Sequence, residues 1–446
     1  MTLPQKISRR TALGAMGSFA AAPALASLPE GDVDVVIVGA GIAGLSAARA
    51  LLDAGHSLTV IESAGRIGGR AYTESESLGV HFDHGCSWIN HGDTNPWALL
   101  AKRAGFELYD HTDASSTYYV DGKLADTAQR GVYNAGWGAV TSALAEAGEA
   151  GIDVPASSVM PEGVDGIGPP QTWIGPMDWG VDFANLSTAD YWNSEDSYKD
   201  FMVPKGLGSV VADFGKDIPV SLDTPAQRIG WSGSGVEVET PKGTIRAKAC
   251  ICTVSTGVLN AGSIRFTPGL PDWKEQAIDD VPMGLLAKVA LKFDDTRLGF
   301  VPNAWLDYYV PNKMPAEAAY FLTWPFEDPY MVGFIGGEFG WELSRAGEAE
   351  AVDFVLGEVV KMAGSDARKA FAGGILTDWA TNPHVLGGYG AARPGRFAAR
   401  EALARPVDDR LFFAGEAVAT PFNALCSGAF YSGRDTAKSV METVLG

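Results

Sequence analysis

The run Gly39-Ala40-Gly41-Ile42-Ala43-Gly44, with Glu62 following 18 positions after Gly44, is the part of this sequence whose residue types and spacing point most directly to chemistry. That chemistry is the binding of a pyrophosphate. Gly39 permits a tight turn, Gly41 carries no side chain to hold a phosphate off the backbone, and Gly44 lets a helix lie close to a strand. A carboxylate at Glu62 can accept hydrogen bonds from ribose hydroxyls. A helix beginning here would add free N–H groups and the positive end of its dipole. A glycine turn without a ligand has the same composition, so the flanking elements decide. Val33 to Val38 is almost entirely apolar and β-branched, as a parallel strand covered on both faces would be. Leu45 to Ala54 is Ala/Leu-rich and reads as a helix, with Gly55 as its stop. Leu58 to Ile61 reads as a second strand, ending at Glu62. Strand, glycines, helix, strand and acid in register describe a dinucleotide-binding unit.

The rest of the composition narrows the setting. The chain has 446 residues, enough for more than one domain, with 46% hydrophobic and 20% charged residues, so it is globular. A formal net charge of −20 argues against a nucleic-acid partner; it would draw cationic ligands, or it only keeps the protein soluble. The cysteines Cys86, Cys250, Cys252 and Cys426 have no metal-ligand spacing, and the six histidines form no HExxH pair, so no metal site is expected. Cys250 and Cys252 fall in an expected strand and point to one face of it. Near the start, Ser8-Arg9-Arg10-Thr11 precedes the apolar run Ala12 to Ala22 and then Pro23-Ala24-Leu25-Ala26. This is similar to a bacterial twin-arginine export signal over residues 1–26, and predicts a mature chain from near Ser27 in the periplasm. No other apolar stretch reaches the roughly 18 residues of a membrane span, so no membrane anchor is expected.

Further motifs follow in order. Gly65-Arg66-Ile67-Gly68-Gly69-Arg70 offers close backbone approach and two guanidinium groups for a phosphate or a carboxylate. Asp83-His84-Gly85-Cys86-Ser87-Trp88 comes next. Together with the glycine turn, these segments resemble the flavin-containing amine oxidase family, which includes monoamine oxidases, polyamine oxidases and flavin-type histone lysine demethylases. The resemblance runs to the C-terminus. Ala287 to Phe293 alternates as a strand and matches a K-V-x-L-x-F segment at Lys288. Trp379 with Gly387-Gly388-Tyr389-Gly390 matches W…G-x-Y. Leu411 to Glu416 is a strand ending in A-G-E, and Gly428-Ala429-Phe430-Tyr431-Ser432-Gly433, within a helix expected over Asn423 to Ala437, matches G-A-x-x-S-G.

The resemblance implies an α/β architecture: a discontinuous Rossmann-like FAD-binding domain (31–92, 204–265 and 395–446) and an α/β substrate domain (93–203 and 266–394). It implies FAD held at Gly39, Gly41, Ala43, Gly44, Glu62, Arg66, Gly69, Arg70, Gly85, Cys86, Ser87, Trp88, Ala226, Gly415, Glu416, Cys426 and Ala429. Lys288 would hold a water against flavin N5. Trp379 would lie by the flavin, and Tyr389 would be one wall of an aromatic sandwich for the amine, whose other wall here is Leu425. Gly388 stands where monoamine oxidases carry the cysteine that bonds flavin, so FAD is expected to be non-covalent. The implied reaction is hydride transfer from an amine α-carbon to flavin N5. The imine hydrolyses, and oxygen (forming peroxide) or a redox protein takes the electrons. An amino-acid oxidase, an amine dehydrogenase using an exported cytochrome and a passive flavin binder remain the alternatives, and a homodimer is open. The stretch from Thr94 to Tyr198 reads only as an irregular, aromatic-rich insert. Its Trp173, Trp179, Tyr191 and Trp192 are taken as packing. Short strands are expected over Ile218–Leu222, Gln227–Trp231, Val236–Thr240, Thr244–Ala247 and Lys248–Val254, and Lys292 is expected to be a solvated strand lysine.

Overall fold

The computed structural model describes residue 28 and residues 31–194, 199–294, 296–312 and 314–446; the twin-arginine segment at 1–26 and the expected start of the mature chain at Ser27 lie outside the described residues. The strand Val33–Val38 is the middle of the first sheet. It pairs in parallel with Leu58–Ile61 on one side and with Gly243–Cys252 on the other, in the register Val33 to Ala247 and Val38 to Cys252. Val220–Ser221 extends the sheet beyond Leu58–Ile61. The strand Gly243–Cys252 is continuous where two strands were expected. Its first half pairs antiparallel with Val236–Thr240, and its last three residues pair in parallel with Leu411–Phe413. Each half satisfies a different neighbour on the same edge. Cys250 and Cys252 are buried in the core on one side of this sheet.

The first helix, Ile42–Asp53, starts three residues earlier than its apolar pattern suggested, with Gly41 as its N-cap. It lies against the helix Cys426–Val440 near the C-terminus. Glycine at 433 makes this possible, since a Cβ there would stand 2.0 Å from the Ala43 carbonyl oxygen. Ser46 Oγ donates to the Phe430 carbonyl at 2.7 Å across the same seam.

The second sheet has the order Phe371–Leu376, Leu286–Phe293, Tyr330–Gly336, Tyr320–Thr323, Ala304–Tyr308, Ser116–Val120, Lys123–Leu124. Alternation along Leu286–Phe293 sends Ala287, Val289, Leu291 and Phe293 into a core shared with the helix Glu348–Ala363. Leu286 and Lys288 therefore face the opposite way. Lys292, expected in solvent, instead donates from Nζ to the Leu78 carbonyl at 2.6 Å.

The insert is more regular than its sequence. Thr127–Glu149 is a helix of 23 residues opened by a reciprocal capping box between Asp126 and Gln129. Glycines weaken its helical pattern, and two of them are packing positions. A Cβ on Gly136 would lie 2.0 Å from the Gly166 carbonyl oxygen, and one on Gly148 would lie 2.2 Å from the Trp192 ring. Tyr191 and Trp179 pack around this helix as expected, but Trp192 is substantially exposed beside Gly148.

A buried ion pair ties the insert to the rest. Arg400 donates from Nε and Nη2 to the two Asp190 carboxylate oxygens at 2.6 and 2.7 Å, and also to the carbonyls of Ala417 and Gly390. Asp190 accepts the Ala392 amide as well. Both side chains are 1% exposed. Arg400→Met should cost about 3–5 kcal/mol, because it strands a buried carboxylate. An unchanged urea midpoint for that variant would contradict this.

Candidate active site

A single cavity of about 620 Å³ runs from the first glycine turn to the exposed face of the second sheet. The glycine turn closes one end. Gly39 has φ +104°, and a Cβ there would meet Thr253 Oγ1 at 2.6 Å. A Cβ on Gly44 would stand 2.0 Å from the Gly39 carbonyl oxygen, whereas one on Gly41 would meet nothing within 4 Å. Gly41 thus opens onto the cavity and Gly44 does not; of the turn residues expected to contact the ligand, Gly39, Gly41 and Ala43 line the cavity and Gly44 serves the packing behind it. The first helix has neither a side-chain cap nor an acidic residue in its first turn, so its leading amides remain available to an anion.

Glu62 fixes this turn from the side. Its Oε2 accepts the Ala40 amide at 2.7 Å and its Oε1 the Ala64 amide at 2.8 Å. Each carboxylate oxygen retains acceptor capacity for a further partner. The two arginines are spent within the protein. Arg66 Nη1 donates to the carbonyls of Gly69 and Ile67, and its guanidinium lies 4.0 Å over the Tyr72 ring. Arg70 Nη1 donates to the Gly388 carbonyl and to Glu416 Oε1 at 2.8 Å, and Glu416 also accepts the Gly390 amide. The phosphate-or-carboxylate alternative for Arg70 therefore resolves as a carboxylate, with Glu416 as the partner.

Lys288 stands midway along the cavity, 6% exposed. Its Nζ donates to the Asp83 carbonyl at 2.9 Å, the Gly85 carbonyl at 2.5 Å and Ser87 Oγ at 2.6 Å. Burial pushes the ammonium down to about 8, against the opposing pull of Asp83 and of Cys86 and Cys426. Burial likewise raises the Asp83 carboxyl, opposed by Lys288, Thr73 and the amides of Leu207 and Gly208. An ammonium has three protons to donate, and here all three have protein acceptors. A water-holding role for Lys288 therefore requires one of these bonds to open, or the neutral amine with its lone pair.

Gly85, Cys86, Ser87 and Trp88 line the cavity beside Lys288, with Ala226, Gly415, Cys426 and Ala429 around the remaining wall. Gly85 must be glycine, because a Cβ would fall 1.7 Å from the Arg70 carbonyl oxygen. Trp379 is buried, and its Nε1 donates to the His84 carbonyl at 2.9 Å. Tyr389 donates its hydroxyl to the Asp178 carbonyl at 2.7 Å, which fixes the ring at the cavity edge. Leu425 lines the cavity too, at the N-cap of the helix Cys426–Val440, which has no side-chain cap either.

The sequence missed most of the far wall. Trp88 stacks on Trp305 with centroids 5.3 Å apart, and Trp173 meets Trp305 edge-on at 5.1 Å. Phe334, paired with Lys288 across the second sheet, and Met177 and Asp178 from the π-helical segment Trp173–Trp179 complete it. Trp173 is thus a wall of the cavity as well as packing, while Trp179 stays in the core of the insert. Asn90 and Asp200 also border it, joined by a hydrogen bond of 3.2 Å. A widened helical turn is a recurrent functional-site feature, but Pro176 and Gly175 within it disguise the helix in sequence. Among the described residues, no group of three or more His, Cys, Asp or Glu side chains is arranged to hold a metal.

Residues 42–158 and 177–441 match the family of flavin containing amine oxidoreductases. Polyamine oxidase 4 of Oryza sativa subsp. japonica is 30% identical, over 92% of this chain and 89% of that protein. Lysine-specific histone demethylase 1 homolog 1 of the same plant is 28% identical over 95% of this chain, which spans only 55% of that relative's length. Among solved structures, cyclohexylamine oxidase from Brevibacterium oxydans IH-35A superposes with a TM-score of 0.75 at 24% identity, covering 93% of this chain and all of that one. Putrescine oxidase bound to putrescine superposes with a TM-score of 0.77 at 19% identity, over 93% of this chain and all of that one. The chain belongs to the flavin-containing amine oxidoreductase family. It is an FAD-dependent amine oxidoreductase with the mixed α/β fold of that family.

Proposed function

We propose that the chain oxidises an amine with an apolar body, using FAD held without a covalent bond. The supporting observation is the continuity of one cavity from the open Gly41 turn, past Lys288, to the wall of Trp88, Trp173, Trp305 and Phe334. The donor set fits FAD: free helix amides at Gly41, an acidic side chain at Glu62, and a second uncapped helix N-terminus at Cys426. Gly388 offers no sulfur for attachment. A flavin bound there supplies the two-electron oxidation, accepting a hydride from the carbon that bears the amine. The protein's part is placement. Tyr389, anchored through Asp178, and Leu425 hold the reacting amine between them, and the indole wall receives its apolar body and excludes water. Lys288 fixes the Gly85–Ser87 segment and provides a buried positive charge where negative charge develops. The imine released is then hydrolysed to a carbonyl compound and an amine or ammonia.

An amino-acid oxidase needs a guanidinium for the substrate carboxylate. The arginines that line this cavity, Arg66 and Arg70, are engaged by protein carbonyls and Glu416. The two carboxylates at the wall, Asp178 and Asp200, favour a cationic second group over an anionic one. Anaerobic mixing with monoamines, diamines, polyamines and amino acids should therefore bleach the flavin absorbance at about 450 nm for amines and not for amino acids. A flavin-loaded protein bleached by no amine would end this reading. Admitting air then separates oxygen, which yields peroxide, from an exported redox protein as acceptor. The sheet memberships support the proposed division into an FAD domain and a substrate domain. Periplasmic export through residues 1–26 is a separate proposal, tested by fractionating cells that express the full chain and its Arg9→Lys/Arg10→Lys variant.

A further inference from the structure

Two of the four cysteines meet in the cavity. Cys86 comes from the loop held by Lys288, and Cys426 is the first residue of the helix Cys426–Val440. They are 340 positions apart (426 − 86) in sequence, yet their side chains share a hydrogen bond, and both line the cavity. Both are partly accessible free thiols, unlike Cys250 and Cys252, which are buried in the sheet core. The hydrogen bond to Cys86 and burial together push the Cys426 thiol well above its usual range, with Arg70 opposing. Cys426 therefore keeps its proton and donates it toward the Cys86 sulfur. Packing alone does not call for two sulfurs facing each other on the wall of a redox cavity.

We propose that Cys86 and Cys426 form a peroxide-oxidisable pair that closes a disulfide across the flavin-facing wall. Cys86 sulfur, as the thiolate, attacks one oxygen of hydrogen peroxide. The O–O bond breaks, the leaving oxygen takes a proton and departs as water, and Cys86 becomes a sulfenic acid. Cys426 sulfur then attacks Cys86 sulfur, the S–O bond breaks, and a second water leaves with the Cys426 proton. Two thiols lose two electrons and two protons in total, and one peroxide is reduced to two waters. Turnover with oxygen would deliver this oxidant inside the cavity. The pair itself requires only the geometry of the site, so the test uses added peroxide and its failure is distinct from failure of the amine reading.

The flavin-loaded protein is reduced with a phosphine, desalted, and exposed to graded hydrogen peroxide. It is then alkylated in denaturant and weighed intact. Four alkylated cysteines should fall to two, and digestion without reductant should give one cross-linked peptide pair containing Cys86 and Cys426. Treatment with dithiothreitol should restore four. Cys86→Ser should keep three alkylated cysteines at the same peroxide dose, because the initial attack is lost. Cys426→Ser should form no cross-link and should accumulate oxygen on Cys86. Retention of four alkylated cysteines in the parent protein, a cross-link involving Cys250 or Cys252, or over-oxidised Cys86 beside an alkylated Cys426 would each overturn the proposal.

Discussion

Lys288→Met is expected to slow flavin reduction by an amine, flavin reoxidation, or both by roughly 100-fold while leaving FAD bound, the size of effect that follows loss of one preorganised charge in a water-excluded site. Lys288 donates three hydrogen bonds, and two of their acceptors are the carbonyls of Asp83 and Gly85 in the segment that lines the cavity. Methionine matches the length of the lysine stem but supplies neither proton nor charge. The glycine turn and Glu62, at the far end of the cavity, do not touch Lys288, so the flavin-to-protein ratio should stay at the parent value. Anaerobic stopped-flow reduction followed by mixing with air measures the two half-reactions separately. The parent should also carry a pH signature. Burial places the Lys288 ammonium at about 8, so the group is charged below that pH and neutral above it. Whichever rate depends on the charge should fall as pH rises through about 8 in the parent and stay flat there in the Met variant. Parent-like rates for both half-reactions would remove Lys288 from the chemistry.

The parts legible in the sequence are those governed by local rules. The turn from Gly39 to Gly44 must be glycine-rich for steric reasons that do not depend on the rest of the fold, and the strand Val33–Val38 announces its burial by composition. Lys288 was legible because strand alternation put it on the face opposite Val289 and Leu291. The far wall of the cavity was not. Trp173, Trp305 and Phe334 come from three separate elements, and each looks like any other core aromatic until the second sheet brings them within about 6 Å of one another. The contact between Cys86 and Cys426 is a tertiary coincidence of the same kind. Sequence also could not show that Arg70 and Glu416 satisfy each other, which turns two expected cofactor contacts into one internal pair. The helix Thr127–Glu149 was hidden for a further reason. Glycine lowers helix propensity by about 1 kcal/mol relative to alanine, yet Gly136 and Gly148 are needed there for close approach of neighbours.

The glycine turn yields a paired prediction with opposite consequences for the fold. Gly41→Asp should give a folded protein that retains less than about a tenth of the parent's FAD, because its carboxylate would occupy the anion position at the helix N-terminus. Gly41 has φ −72° and ψ −178°, which any L-residue adopts, and a Cβ there meets nothing within 4 Å. Aspartate is moreover a favoured N-cap residue, so the flavin-free variant should match or exceed the flavin-free parent in urea midpoint. Gly44→Ala adds only a methyl group, yet that methyl must fit 2.0 Å from the Gly39 carbonyl oxygen. The clash is backbone against backbone, so no side-chain rotation relieves it. The first helix must move off the strand Val33–Val38, and the urea midpoint should drop sharply with FAD binding lost as a consequence. The two substitutions thus separate ligand space from packing space within four residues. Stoichiometric FAD in Gly41→Asp would mean that the open side of this turn is not where the cofactor's phosphates lie. Parent-like stability in Gly44→Ala would mean that helix and strand are less closely apposed than the structure has them.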